Sequence, residues 1–204
     1  MTAQLTMSEV LKLEAQSLLD AAARFEKLDS EVADNLVNLY EHLLGTNGSL
    51  IFCGVGKSGI IAMKLASTFC SLGLPSFFLH PIEALHGDLG RVGKEDAIVF
   101  LSKSGTTEEI LKLIPFLNIP KNRMIGLLGN VSSSIAQNCH IVLDCAVEKE
   151  ACINNQAPTT SSTLALAMGD AMAVLYEKQV GLSKEGFAVN HPGGILGKSL
   201  RMKV

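Results

Sequence analysis

The chain has 204 residues, 48% of them hydrophobic, and a formal net charge of −3 at neutral pH. That length and apolar content suit one large domain with a substantial core. A weakly negative balance without runs of like charge excludes the electrostatic footprint of a nucleic-acid or anionic-membrane binder, so the expected partner is a small molecule. The longest apolar segments, such as Thr163 to Tyr176, are interrupted by Gly169 and Asp170, short of the roughly 18 residues of a spanning helix. The opening MTAQLTMSEV lacks the basic and apolar regions of a secretory signal, so a soluble, cytoplasmic protein is expected. Cys53, Cys70, Cys139, Cys145 and Cys152 form an odd set with no CxxC pair. They read as buried reduced thiols, and no metal is expected.

In chain order, Thr6 and Glu9 form a capping box. The helix it opens carries Val10, Leu11, Leu18, Leu19, Ala22 and Phe25 and runs to about Leu28. Ser30 caps a second helix, whose stripe of Val32, Leu36, Leu39, Tyr40 and Leu43 ends at Gly45 and the Asn47-Gly48 turn. Lys27, Asp29, Ser30 and Glu31 between them offer no basic surface, which sets a DNA-binding helix-turn-helix aside. Residues 1–45 are therefore packing or dimerisation helices.

From Ser49 the pattern becomes strand-loop-helix units without hairpin signals, the signature of a parallel sheet covered on both faces. Strands are expected at Leu50–Cys53, Ser76–His80, Ala97–Leu101, Met124–Leu128 and His140–Cys145. Helices are expected at Lys57–Leu72, Thr106–Leu117 with a kink at Pro115, Ser132–Asn138 and Pro158–Gln179. The last is rich in small residues, which fits deep burial or a subunit contact. The whole is a single domain, with an α/β core over 49–182 and a C-terminal segment over 183–204.

Five parallel strands suit the flavodoxin-like order 2-1-3-4-5, which sets strands one and three side by side with a ligand crevice where the winding reverses. The loop Gly54-Val55-Gly56-Lys57-Ser58-Gly59 and the loop Ser102-Lys103-Ser104-Gly105-Thr106-Thr107 then face each other. Each opens a helix, whose free N–H groups and partial positive charge suit an anion, and in the second Ser102, Ser104, Thr106 and Thr107 add hydroxyls. A plain N-cap with the first-turn carboxylates Glu108 and Glu109 explains the second loop alone. Two such loops at one switch point favour a phosphate.

The first loop formally matches the dinucleotide fingerprint, yet strand two ends in Phe78-Leu79-His80-Pro81 with no acidic residue at its tip, and Glu83 follows three residues later. A Walker A loop would need glycine at Ile51. A smaller phosphorylated ligand remains.

GVGKSG at 54–59, PSFFLHPIEALHGDLG at 75–90, SKSGTTEE at 102–109, KEAC at 149–152, APTTSST at 157–163 and NHPGGILGK at 190–198 resemble the sugar-isomerase (SIS) domain. More narrowly they resemble the arabinose-5-phosphate isomerases, over roughly Leu5 to Leu200. The resemblance implies a three-layer α/β SIS fold, interconversion of ribulose 5-phosphate and arabinose 5-phosphate, no cofactor, and a homo-oligomer (dimer or tetramer) with sites near subunit interfaces. It assigns the phosphate to Ser58, Ser102, Ser104 and Thr107, with loop backbone at Gly54, Gly56 and Gly105. Around the sugar it places Lys57, His86, Glu109, Glu150 and His191. Relatives usually carry Glu where this chain has Thr106, and many continue into a pair of CBS domains.

Such a reaction needs proton transfers at the ring oxygen and anomeric hydroxyl, and a base that moves a proton between C1 and C2. The cis-enediolate between them needs a cation or donor. Lys57 fits that donor, Glu150 the base, and His191 or His86 ring opening. Plainer readings stand beside these. Lys57 at a helix start opposes the helix dipole, which argues for function, whereas Glu109 is an ordinary first-turn carboxylate. Glu148-Lys149-Glu150 reads as solvated surface, and each histidine sits in a Gly- or Pro-containing turn. His42, His80 and His140 read as structural. Rival functions are a hexulose or heptose phosphate isomerase and a non-catalytic sugar-phosphate sensor.

Overall fold

The computed structural model describes residues 6–26 and 28–193. Five strands, β1 (Leu50–Gly54), β2 (Ser76–Leu79), β3 (Ala97–Ser102), β4 (Met124–Leu128) and β5 (Ile141–Asp144), form one parallel sheet in the order β2-β1-β3-β4-β5. The helices are α1 (Met7–Phe25), α2 (Asp29–Thr46), α3 (Gly56–Ser71), α4 (Pro81–Leu85), α5 (Glu108–Leu113), α6 (Thr160–Val180) and α7 (Lys184–Val189). The expected sheet and its order are those observed.

Every residue of β1, β3 and β4 is buried, because helices cover both faces and alternate side chains enter different cores. Leu50, Phe52, Val99 and Leu101 join Tyr40, Phe69 and Tyr176 beneath α2, α3 and α6. Ile51, Cys53, Ile98 and Phe100 join Ile110, Leu113 and Ile135 on the opposite face. The aromatic centre of the first core is edge-to-face, with the Tyr40 and Tyr176 rings 5.4 Å apart at 82°. Tyr40 Oη donates to the Met172 carbonyl at 3.0 Å, so its polar end is satisfied in the interior.

At α1 both halves of the Thr6–Glu9 capping box are present. Ala21 is its buried residue, while Met7, Leu11 and Leu19 are exposed. The helix is held by polar ties: Arg24 Nε lies 3.0 Å from Asp144 Oδ2, Arg24 Nη2 donates to the Ala146 carbonyl at 2.9 Å, and Thr163 Oγ1 donates to Glu14 Oε2 at 3.0 Å. Among the described residues no helix is long and apolar enough to cross a membrane.

Several local expectations are corrected. Helix α2 starts at Asp29 with Leu28 at its N-cap and no side-chain cap, so Ser30 lies inside the helix. Ser132–Asn138 is a turn with one 3-10 turn over Ala136–Asn138, because its polar groups bond elsewhere. Ser132 N–H goes to Asn130 Oδ1 and Ile135 N–H to the Gly105 carbonyl. The helix after β3 is short, Glu108–Leu113, and tightens into a 3-10 turn at Pro115. Cys53, Cys139 and Cys145 are buried, and burial pushes their thiols up to about 12. Cys70 is exposed and Cys152 half-buried. Of the 190–198 motif, Asn190 to Gly193 are described and the remainder lies outside the described residues.

Candidate active site

In the sheet register Gly54 sits beside Leu101, so the loops leaving β1 and β3 start next to each other. Ser102 pairs with Leu128, and Leu128 with Asp144, which brings the ends of β4 and β5 to the same edge. A small pocket of about 40 Å³ opens there, at the carboxyl ends of the strands where a parallel sheet places its ligands. Lys57 and Ser58 line it from α3, Ser102 and Lys103 from the end of β3, and Ser161 and Ser162 from α6.

The loop after β3 is preformed. Ser102 Oγ accepts the Gly105 N–H at 3.0 Å and lies 2.8 Å from Thr107 Oγ1. Gly105 has φ +68, and its carbonyl accepts the Ile135 N–H at 3.0 Å. Ser102 and Thr107 are thus drawn together by a tight turn pinned from below. Ser104 Oγ accepts the Thr106 N–H at 3.2 Å and is exposed at the rim.

Glu150 departs furthest from a surface reading: its side chain is fully buried, with 0% exposure. Lys103 Nζ donates to its Oε1 at 2.6 Å, joined there by the Ser161 hydroxyl. Its Oε2 accepts from Thr159 N–H at 2.9 Å, Ser161 N–H at 3.1 Å and Thr159 Oγ1 at 3.2 Å. The carboxylate therefore caps α6 and neutralises the partial positive charge of that helix start. Burial alone would raise its pKa, but donation from Lys103, Ser161 and Thr159 outweighs burial and holds the carboxyl at about 2.

A group whose folded pKa is depressed stabilises the fold above its ordinary pKa, and that stabilisation fades as pH falls toward the folded value. The expected result is a loss of unfolding free energy between pH 4.5 and about 2 that Glu150 supplies. Urea midpoints measured in pH steps should fall more steeply there for the natural chain than for Glu150→Gln. Equal slopes would mean that the carboxylate is not held this way.

One chain does not bring all the expected residues to the pocket. Glu109, in the first turn of α5, is half-buried, and no side-chain hydrogen bond to it is found among the described residues. His86 is exposed at the C-cap of α4. His191 stacks on Phe187 at 3.9 Å, with Nδ1 2.9 Å from the Phe187 carbonyl. Neither histidine lines the pocket. Lys103, Thr159 and Ser161 were not singled out by the sequence. Their signals were a lysine set between two serines at a strand end and the hydroxyl run of APTTSST.

The sheet, its switch point and a crevice of hydroxyls and lysines, with one buried carboxylate bonded to its Lys103 and Ser161, are those of a parallel α/β protein with a crevice suited to a small polar ligand. The chain belongs to the SIS domain family, whose model matches residues 43–175. It is 42% identical over 179 residues to the arabinose 5-phosphate isomerase KdsD of Pseudomonas aeruginosa, covering 88% of this chain and 55% of that protein. It is 42% identical over 193 residues to the arabinose 5-phosphate isomerase KpsF of Escherichia coli, covering 93% and 60%. The chain thus spans less than two thirds of the length of these curated relatives. A solved structure of an Escherichia coli CFT073 protein in complex with arabinose 5-phosphate matches with a TM-score of 0.74 at 38% identity, covering 91% of this chain and 97% of that one.

Proposed function

We propose that this chain is an aldose-ketose isomerase of phosphorylated sugars that interconverts ribulose 5-phosphate and arabinose 5-phosphate in the cytoplasm without a cofactor. The observation that carries the reading is the preformed Ser102–Thr107 turn set beside the Lys57-Ser58 helix start, with the Glu150 carboxylate bonded to two residues that line the pocket, Lys103 and Ser161. The likeness to named arabinose 5-phosphate isomerases over most of this chain supports the substrate.

In this reading Ser58, Ser102, Ser104 and Thr107 hold the phosphate, and the sugar chain extends toward Lys57 and Glu150. The base takes a proton from C1 of the ketose and returns it to C2, giving the aldose. Between the two transfers Lys57 stabilises the enediolate oxygen. Ring opening of the aldose falls to His86 or His191. Neither lines the pocket of its own chain, and the exposed apolar residues of α1 offer a face for a homo-oligomer that would bring a histidine to a neighbouring copy's site.

Incubation of ribulose 5-phosphate with the protein in deuterated water is expected to yield arabinose 5-phosphate labelled at C2. Failure to convert any pentose, hexulose or heptose phosphate would overturn the enzyme reading. Turnover confined to a longer sugar would overturn the substrate.

A further inference from the structure

Lys103 links the two halves of the site. Its backbone belongs to the loop that forms the cradle, and its ammonium reaches across to Glu150 Oε1 at 2.6 Å. The two partners are held unequally. Glu150 has no exposure and four further donors from Thr159 and Ser161, whereas the Lys103 side chain is 48% exposed. The Lys103 backbone is itself fixed, since Gly129 N–H donates to the Ser102 carbonyl at 3.2 Å and a Cβ at Gly129 would come within 2.4 Å of the Lys103 carbonyl oxygen. What can move is the lysine side chain.

We infer that Lys103 is a positioning residue that couples filling of the Ser102–Thr107 cradle to release of Glu150: an anion in the cradle draws the ammonium off the carboxylate and opens the pocket. The coupling rests on the reading of that loop as a phosphate cradle. The lysine lines the small pocket into which the cradle's neighbours Lys57 and Ser58 also face, so its arm lies at the place a ligand would enter. Chemistry favours the movement. A doubly charged anion competes well with a single carboxylate for a half-exposed ammonium, and Glu150 keeps its other donors when the lysine leaves.

The consequence is for proton transfer. A carboxylate with every lone pair engaged is a poor base, and Lys103 makes the foremost of the contacts that hold its pKa down. Other titratable groups around this region are Lys149 and Cys152, which line a second pocket with Glu150, its sequence neighbour Glu148, and Lys57 and Cys145, which line the pocket that Lys103 and Ser161 line. The first turn of α6 brings only hydroxyls and N–H groups. Of these cations Lys103 is the one bonded to the carboxylate.

The test follows the Glu150 carboxyl carbon by NMR in the full chain labelled at glutamate, with and without inorganic sulfate, which mimics phosphate and is still largely dianionic where the carboxyl begins to titrate. Without sulfate the signal is expected to stay flat down to about pH 3, and with sulfate to begin titrating roughly one pH unit higher. In Lys103→Gln the signal should titrate at the raised value from the start, and sulfate should move it less than half as far. Lys103→Arg should restore the natural behaviour. The coupling is overturned if sulfate does not bind, if it binds without moving the Glu150 titration, or if Lys103→Gln responds as fully as the natural chain. None of these readouts needs turnover, so a failed isomerase assay with an intact sulfate response would sink the substrate reading alone.

Discussion

Glu150→Gln is expected to lower kcat about 1000-fold, the middle of the range that a positioned general base supplies. It should leave anion binding unchanged or a few-fold tighter, since Lys103 would no longer have to leave a carboxylate. The amide cannot reproduce the site. One of its two ends is now a donor, and Lys103 Nζ and the Ser161 hydroxyl meet one end while Thr159 and Ser161 N–H meet the other. Turning the NH₂ toward Lys103 is the lesser conflict, because a half-exposed ammonium can retreat to water while the N–H groups of α6 cannot. The stability cost is then about 2–3 kcal/mol, less than for a fully buried pair broken on one side. Steady-state kinetics, calorimetric sulfate binding and urea unfolding separate the three effects. If kcat stays within tenfold of the natural chain, the proton is moved by another group, and Glu150 serves only to cap α6 and hold Lys103.

The sheet was legible because parallel strands are buried on both faces and so appear as unbroken apolar runs, as in Ala97 to Leu101. The order of strands followed from the number of such runs and the helical spacing between them. What the sequence hid lies where local and tertiary forces disagree. Ser132–Asn138 has helical spacing, but Asn130 and Gly105 claim its N–H groups. Glu150 sits between charged neighbours and looks solvated. Its burial comes from the start of α6, where Thr159 and Ser161 follow nine and eleven residues later. Lys103 was hidden for the same reason, since nothing in SKSG shows which way a lysine will reach. The cradle hydroxyls were easier to find, because a strand end, a glycine and a helix start determine that loop almost alone. His86 and His191 show the opposite limit. Their turns single them out, yet in one chain they are not gathered at the pocket.

Gly105→Ala is expected to cost about 3–4 kcal/mol and to weaken anion binding about 100-fold, for two separable reasons. The backbone at Gly105 has φ +68, a left-handed conformation that costs a side-chain-bearing residue about 1–2 kcal/mol. Independently, a Cβ there would lie 2.0 Å from Ser133 Oγ and 2.4 Å from Ser133 Cβ. Ser133 is 4% exposed and cannot swing into solvent. The loop must shift instead. That breaks the Gly105 N–H bond to Ser102 Oγ and parts Ser102 from Thr107, which is where the binding loss arises. Two companions separate the terms. Gly56→Ala, at φ +59 with nothing within 4 Å of the added carbon, carries the left-handed cost alone. Gly105→Ala combined with Ser133→Gly removes the collision with Ser133 and should recover most of the steric share, leaving a residual above that of Gly56→Ala because the Asn130 carbonyl oxygen stays 3.1 Å from the added carbon; the coupling is read from a double-mutant cycle in urea. Recovery of stability without recovery of sulfate binding would mean that the left-handed turn itself shapes the cradle. A Gly105→Ala protein that is both stable and binds sulfate normally would show that Ser102 and Thr107 do not need this turn to meet.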